Sequence, residues 1–355
     1  MNKKTISILL CFLISDSLMG EEFKEYGLFA NKSPNPQQIE PLETLLPLKI
    51  NSKSRIAYIG NTLLDRAQHF GHFEAFLQQR FPNNELTVRN FAWSADEIDL
   101  MPRPDNFASV DQHLFHHRTD IIFAAFGFNE SFAGEEKIPE FKSRLQNYLK
   151  HTKSKAYNGT SGPKIILISP NRNQNVKGVR AADMNNKRIS SYTDAMREVA
   201  DSEKVGFVDV FNTEYPVGST FNGVHLNEKG YRTFARVLFN GTFGESPKTL
   251  NENVRAMVIE KNRQFFRRYR PLNTFYYTGG RKGKYGYLDF LPAMRNFEVM
   301  ANNRDQSIWA IAKGERNNTS IDDSTVPKMP ETTQSRGENK WMKSSEELKS
   351  FTIDP

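Results

Sequence analysis

The strongest constraint on the fold is an alternation of short apolar runs with longer stretches of helical spacing, which begins near residue 55. Buried parallel strands read as continuous apolar runs, whereas helices that cover a sheet repeat apolar residues at helical intervals. The runs with the length of strands are 56–59, 86–92, 121–126, 165–168 and 207–211. The stretches with helical spacing are 63–81, 138–149, 185–200 and 228–239, the last with Asn227 as a probable cap.

This alternation predicts an α/β fold, a three-layer flavodoxin-like sandwich with a central parallel five-stranded sheet. The predicted domain occupies residues 51–244, after an irregular, proline-containing lead-in at 21–50. Strands that alternate with helices fit a sheet that is covered on both faces. A domain of this length can bury a core of its own.

Beyond this domain, the pattern predicts a helical extension at 245–313. Residues 251–269 have helical spacing, and so do residues 292–312, which carry proline in the first turn. The stretch between them, 274–289, is rich in glycine and tyrosine and is predicted to be a hairpin or ordered loop. Residues 314–355 are mostly polar and are predicted to be a flexible linker and tail.

The first twenty residues have the pattern of a secretory signal peptide. Lys3 and Lys4 precede an apolar core at 6–14, and small residues follow up to Gly20. Cys11 is the only cysteine, so the mature chain would have no disulfide, thiol nucleophile or cysteine metal site. We therefore expect a periplasmic or extracellular protein.

The formal net charge of +7 over 355 residues fits either an anionic partner or an ordinary solvated surface. Export argues against nucleic acid as that partner. No segment after the signal is apolar enough to span a membrane, and the sequence predicts no cofactor and no metal.

Polar residues that can carry chemistry follow the ends of several predicted strands. They lie in four short blocks: Gly60-Asn61-Thr62-Leu63, Asn90 to Asp96, Phe126 to Glu130 and Asn222 to Asn227. In a parallel sheet the carboxyl ends of the strands meet at one edge, where such folds bind their ligands. The blocks therefore predict a single site.

These four blocks resemble those of SGNH (GDSL-type) hydrolases. The resemblance implies that Thr62 takes the place of the serine nucleophile and that His225 is the general base. Asn222 stands where the family has the aspartate that orients the histidine. The Ala95 N–H and the Asn129 side-chain amide would form the oxyanion hole.

Two departures from the family pattern concern the catalytic groups. The β-methyl of Thr62 restricts its rotamers and crowds the approach to a carbonyl. Asn222 can accept a hydrogen bond from His225 but cannot stabilise an imidazolium by charge; in serine proteases the corresponding change costs about 10⁴ in kcat. Ala95 replaces a glycine, which would cost about 1 kcal/mol if the position requires a positive φ.

Several further side chains are candidates for the pocket. Asp96, Glu97 or Glu130 could supply the missing carboxylate. A larger set of pocket candidates comprises Asn61, Arg66, His69, Asp96 and Glu130. The cluster His113, His116 and His117 is interpreted as a solvated helix face or turn.

The extension mixes cations with aromatic residues at 267–270 and 275–285. That chemistry suits sugar or anion binding, and also a surface that packs onto the main domain; we favour the second interpretation.

A narrower resemblance is to a subfamily from planctomycetes and related bacteria. It is carried by Gly60 to Leu63, Gln68 to Phe73, Phe126 to Gly134, Asn222 to Asn227, Phe265 to Pro271 and Glu347 to Phe351. In that group the module precedes a β-propeller dehydrogenase-like domain and a haem-binding domain. The resemblance implies the hydrolase module and its linker, with haem or propeller domains of a related multidomain protein as possible partners.

Two functions are compatible with the sequence. In the first, the chain is an exported hydrolase that acts on an ester of a small molecule or polysaccharide, plausibly a carbohydrate acyl ester. In the second, it is a non-catalytic carbohydrate-binding or docking module on the same scaffold. We favour the hydrolase.

Overall fold

The computed structural model describes residues 29–270 and 290–329. The predicted signal peptide, the loop at 274–289 and the end of the tail lie outside the described residues. No helix within the described ranges is long and apolar enough to cross a membrane.

Five parallel strands form the central sheet, in the spatial order β2-β1-β3-β4-β5. This is the flavodoxin-like order, and it confirms the predicted fold class. Ile56 of β1 lies opposite Val88 of β2 on one side and Ile121 of β3 on the other. The strands are β1 (Arg55–Gly60), β2 (Thr87–Asn90), β3 (Ile121–Ala125), β4 (Lys164–Ile168) and β5 (Gly206–Val208).

Helices cover both faces of the sheet. One face is packed by α1 (Thr62–Ala67), α2 (His72–Arg80) and α6 (Glu228–Phe243), and the other by α3 (Val110–His117), α4 (Ile138–Lys153) and α5 (Ala182–Glu203). Alternate residues of β1 point to opposite cores: Ile56 and Tyr58 to the first, Ala57 and Ile59 to the second. A strand buried on both faces explains why the sequence is continuously apolar there.

Two helices of the extension, α7 (Glu252–Tyr269) and α8 (Leu291–Lys313), pack beside β2 and α2. Arg89 of the edge strand β2 donates to Asp305 of α8 at 2.7 Å, and both side chains are buried. The extension therefore covers the β2 edge of the sheet, which would otherwise present unpaired backbone groups.

The stretch 63–81 is two helices rather than one. Gly71 separates them with a φ of 64°, and a Cβ there would lie 3.1 Å from side-chain atoms of Val258 and Ile259 in α7. The break lets α7 approach closely, a requirement that helical spacing alone cannot reveal.

The interpretation of His113 and His117 as solvated residues is wrong. Both are buried, and His113 packs edge-to-face against Tyr269 of α7 at 4.9 Å between ring centroids. Burial lowers the pKa of both imidazoles well below the usual range, so they are neutral core residues.

Candidate active site

The turn after β1 positions Thr62. Gly60 has a φ of 106°, and a Cβ there would lie 2.0 Å from the Ala125 carbonyl oxygen, so only glycine fits. Asn61 is buried and caps α1, its side-chain oxygen accepting from the Leu63 N–H at 3.1 Å. Thr62 is therefore the first residue of the helix, and its hydroxyl is not used as a cap.

A backbone donor from the loop after β2 reaches the Thr62 hydroxyl. The Ala95 N–H lies 3.4 Å from Thr62 Oγ1. Ala95 has a φ of 67°, a left-handed conformation that costs a non-glycine residue about 1 kcal/mol. Ala95 therefore presents its N–H to the Thr62 hydroxyl from a strained backbone conformation.

The loop after β3 supplies a second donor. The Asn129 Nδ2 group is buried and has no hydrogen-bond partner among the described residues. Glu130 holds this loop, because its carboxylate accepts from Gly127 N at 2.8 Å and from Ile98 N at 3.2 Å. Burial raises the pKa of Glu130 to about 7. Buried amides are nearly always paired, so the unpaired Nδ2 is a candidate donor to a ligand, although Asn129 does not line the cavity of Thr62 and His225.

His225 is oriented by Asn222. Asn222 Oδ1 accepts from the backbone N–H groups of Val224 at 3.2 Å and His225 at 2.8 Å, which fixes the amide. Its Nδ2 then lies 2.9 Å from His225 Nδ1, closer than Oδ1 at 3.2 Å. A donor at Nδ1 favours the tautomer with the proton on Nε2, whereas a general base needs Nε2 free.

Arg66 influences the same imidazole. Its guanidinium lies 4.8 Å from the ring centroid of Phe221, and Phe221 stacks on His225 at 5.6 Å. Burial, and next the charge of Arg66, lower the pKa of His225, so the ring is neutral at pH 7.

Thr62 and His225 line one small cavity. Its volume is about 20 Å³, and its walls include Phe128, Asn171 and Tyr231. Roughly 10–15 Å³ is needed for one water molecule, so the space holds little more than that. The described side chains of Thr62 and His225 form no hydrogen bond with each other.

The sequence of the domain also matches a known protein family. Residues 57–233 match the model of the GDSL-like lipase/acylhydrolase family. This part of the chain belongs to that family. All four blocks that carry the proposed site lie within the matched residues.

Solved structures similar to the GDSL-like domain include a catalytic mutant of Axe2, an acetylxylan esterase from Geobacillus stearothermophilus. It is 19% identical, has a TM-score of 0.45, and the match covers 57% of this chain and 100% of that chain. Another is LAE5, an α/β hydrolase enzyme from the metagenome of Lake Arreo, Spain, which is 18% identical with a TM-score of 0.42 and covers 54% and 96%. A search of curated proteins gives no match.

The candidate carboxylates of the GDSL-like domain are engaged away from His225. Asp96 pairs with Arg103 at 2.6 Å, Glu97 lies 3.4 Å from Arg144, and Glu130 holds the β3 loop as described. None of them hydrogen-bonds to His225, so Asn222 is its orienting partner. His69 is exposed and does not line the cavity between Thr62 and His225.

The sequence did not predict a partly buried ion pair that lies next to Thr62. Asp65, one turn after Thr62, accepts from Arg270 Nη2 at 2.7 Å and from the Ser94 hydroxyl. Arg270 also donates to the Ala92 carbonyl at 2.6 Å and lies 4.4 Å from the Trp93 ring centroid. The end of α7 thus ties α1 to the loop after β2, which agrees with the interpretation of 267–270 as a packing surface.

Replacement of Arg66 by methionine is expected to raise the pKa of His225. The change removes a positive charge that disfavours the imidazolium and keeps an unbranched side chain against Phe221. An NMR titration of the His225 ring measures the shift, with Lys229→Gln as a control for a surface charge lost nearby. An unchanged or lower pKa would contradict the assigned role of Arg66.

Proposed function

We propose that the chain is an ester hydrolase in which Thr62 is the nucleophile and His225 the general base. The observation that supports this most is the Thr62 hydroxyl, which lies 3.4 Å from the Ala95 N–H and lines the same cavity as His225. The unpaired Asn129 amide adds a second donor for a developing oxyanion.

The reaction follows from these positions. Thr62 Oγ1 attacks the ester carbonyl carbon and its proton passes to His225 Nε2, while Ala95 N–H and Asn129 Nδ2 donate to the oxyanion. The tetrahedral intermediate then collapses, and His225 returns the proton to the leaving alcohol oxygen. Water, activated by the same imidazole, hydrolyses the acyl-Thr62 ester and releases the acid.

Asn222 limits the rate of the first step. A His225 ring with its proton on Nε2 cannot accept the Thr62 proton, so only the less populated tautomer is productive. The charge that stabilises an imidazolium is also missing. We therefore propose a slow enzyme, with a carbohydrate acyl ester as its substrate.

Hydrolysis of an aryl acetate by the purified chain tests the proposal. We expect measurable activity that Thr62→Ala and His225→Ala each reduce to the level of buffer. Thr62→Ser is the matched control, because it keeps the hydroxyl and removes the β-methyl, and it should be at least as active as the natural chain. Activity that survives both alanine substitutions would place the chemistry elsewhere.

A non-catalytic carbohydrate-binding module is the second candidate. It is favoured by the Nδ2 contact of Asn222 and by the lack of a hydrogen bond between the described side chains of Thr62 and His225. Absence of hydrolysis in the natural chain and in Thr62→Ser would support it.

We further propose that the protein is exported, with the haem or propeller domains of a related multidomain protein as possible partners. The basic start, apolar core and small residues within positions 1–20 support export. N-terminal sequencing of the protein secreted by its host would test this, because cleavage near residue 20 is expected.

A further inference from the structure

A second, larger groove lies at the same carboxyl edge of the sheet as the candidate active site. It runs between the segment 172–175, which follows β4, and the first turns of α5. Its volume is about 680 Å³, within the range of roughly 300–1,000 Å³ that small-molecule sites occupy. Six of its eleven lining residues have amide or hydroxyl side chains, three are charged (Arg172, Asp183 and Lys187) and two are apolar (Ala182 and Phe211); the six are Asn173, Asn175, Asn186, Ser190, Ser191 and Asn212.

Asn173 is the unusual residue in this wall. Its side chain is 4% exposed, yet neither Nδ2 nor Oδ1 has a hydrogen-bond partner among the described residues. Buried amides are nearly always paired, since an unmade hydrogen bond destabilises the fold. A rotation of this unpaired amide toward the groove would present the donor and the acceptor that a hydroxyl ligand uses.

The backbone of Asn173 is held firmly at the wall of the groove. The Asn173 N–H donates to Asn186 Oδ1 at 2.8 Å, and Asn186 Nδ2 donates back to the Asn173 carbonyl at 3.0 Å. This reciprocal pair joins the loop after β4 to α5. It presents a preformed polar wall, which lowers the ordering cost of binding.

The groove adjoins the cavity that holds Thr62 and His225. Asn171, which lines that cavity, is two residues before Asn173 and is fixed by a hydrogen bond from its Nδ2 to the Val224 carbonyl at 3.1 Å. Arg172 lies between them along the chain, exposed, with its guanidinium 5.2 Å from the centroid of the Phe211 ring. The segment 171–173 therefore connects the wall of the groove to the wall of the cavity that contains Thr62.

We propose that this groove, defined by Asn173, Asn186 and Ser190, binds a neutral oligosaccharide, the alcohol part of the ester that Thr62 attacks. The amides and hydroxyls of this groove, with one carboxylate (Asp183) and two cations (Arg172 and Lys187), offer both the donors and the acceptors that sugar hydroxyls need. The proposal rests on the proposed function for the position of the ester, but the binding of sugar alone does not require catalysis.

Calorimetric titration of the full chain with unesterified hexasaccharides of β-1,4-linked xylose, glucose and mannose tests this. We expect at least one to bind and Asn173→Ala to weaken its binding by about tenfold or more. The melting temperature should stay the same or rise in this variant, because an unpaired buried amide is removed. Asn240→Ala, an exposed asparagine of α6, is the matched control and should change neither quantity.

A second variant, Ser190→Tyr, fills the groove with an aromatic ring and should abolish binding. The Ser190 side chain makes no hydrogen bond among the described residues, so its replacement breaks none. Absence of binding by the natural chain, or binding that neither variant changes, would overturn the proposal. Thr62→Ala should bind the sugar as the natural chain does. Sugar binding without ester hydrolysis would reject the proposed function and retain the groove.

Discussion

Replacement of Asn222 by aspartate is expected to raise esterase activity by about 10²–10⁴-fold, the converse of the loss that serine proteases show on Asp→Asn exchange. One oxygen of the carboxylate would accept hydrogen bonds from the backbone N–H groups of Val224 and His225, as Asn222 Oδ1 does now. Its second oxygen would replace Nδ2 beside His225 Nδ1. The proton then moves to Nδ1, and Nε2 becomes free to accept the Thr62 proton.

The measurement is kcat/KM for an aryl acetate, together with the ¹⁵N shifts of the His225 ring, which report the tautomer. Asn227→Asp is the control, because it adds the same charge nearby at a residue whose side chain caps α6 and does not contact His225. A ring that changes tautomer without a gain in activity would show that Thr62, and not Asn222, limits the reaction.

The tautomer could not have been predicted from the sequence. An asparagine at position 222 indicates only that the negative charge is lost, because either the oxygen or the nitrogen of its amide can face His225. The choice is made by two backbone donors at Val224 and His225, which depend on the turn before α6. The backbone conformation of Ala95 could not be predicted either. The sequence shows only that alanine replaces a glycine, and the path of the loop after β2 determines the left-handed φ.

The sheet was far more predictable, because its strands are local and buried on both faces. Each of the five apolar runs overlaps an observed strand, and Asn227 caps α6 as predicted. Errors arose where contacts distant in sequence decide the result. Gly71 breaks a helical stretch to admit α7, and His113 is buried by Tyr269 of the same helix. Local spacing holds no signal for either contact.

The second large effect is expected in the link between the extension and the domain. Lys261 of α7 is fully buried, and its ammonium donates to the Glu74 carboxylate of α2 at 2.8 Å, to the Val88 carbonyl of β2 at 2.9 Å and to Asn262 Oδ1 at 2.7 Å. Burial opposes both charges: it raises the pKa of Glu74 and lowers that of Lys261. Each charge therefore depends on the other for compensation.

Replacement of Glu74 by alanine should lower the free energy of unfolding by about 3–5 kcal/mol, because it leaves the buried Lys261 ammonium without the carboxylate that it contacts. Urea denaturation at pH 7 measures the loss. Glu198→Ala, which breaks the exposed pair with Lys142, is the control and should change stability little. The double variant Glu74→Leu with Lys261→Met removes both charges and should recover most of the loss.

The same denaturation curves test how the extension and the domain are joined. Lys261 contacts α2 and the edge strand β2 at once, so α7 cannot leave without exposing the pair to water. We expect a single unfolding transition in the natural chain and in the double variant, since apolar packing of α7 against Ala75 remains. In Glu74→Ala, an early transition that releases α7 alone would show that the ion pair, more than this packing, holds the extension. Because Arg270 at the end of α7 also binds Asp65 beneath Thr62, release of that helix should abolish esterase activity at the same urea concentration.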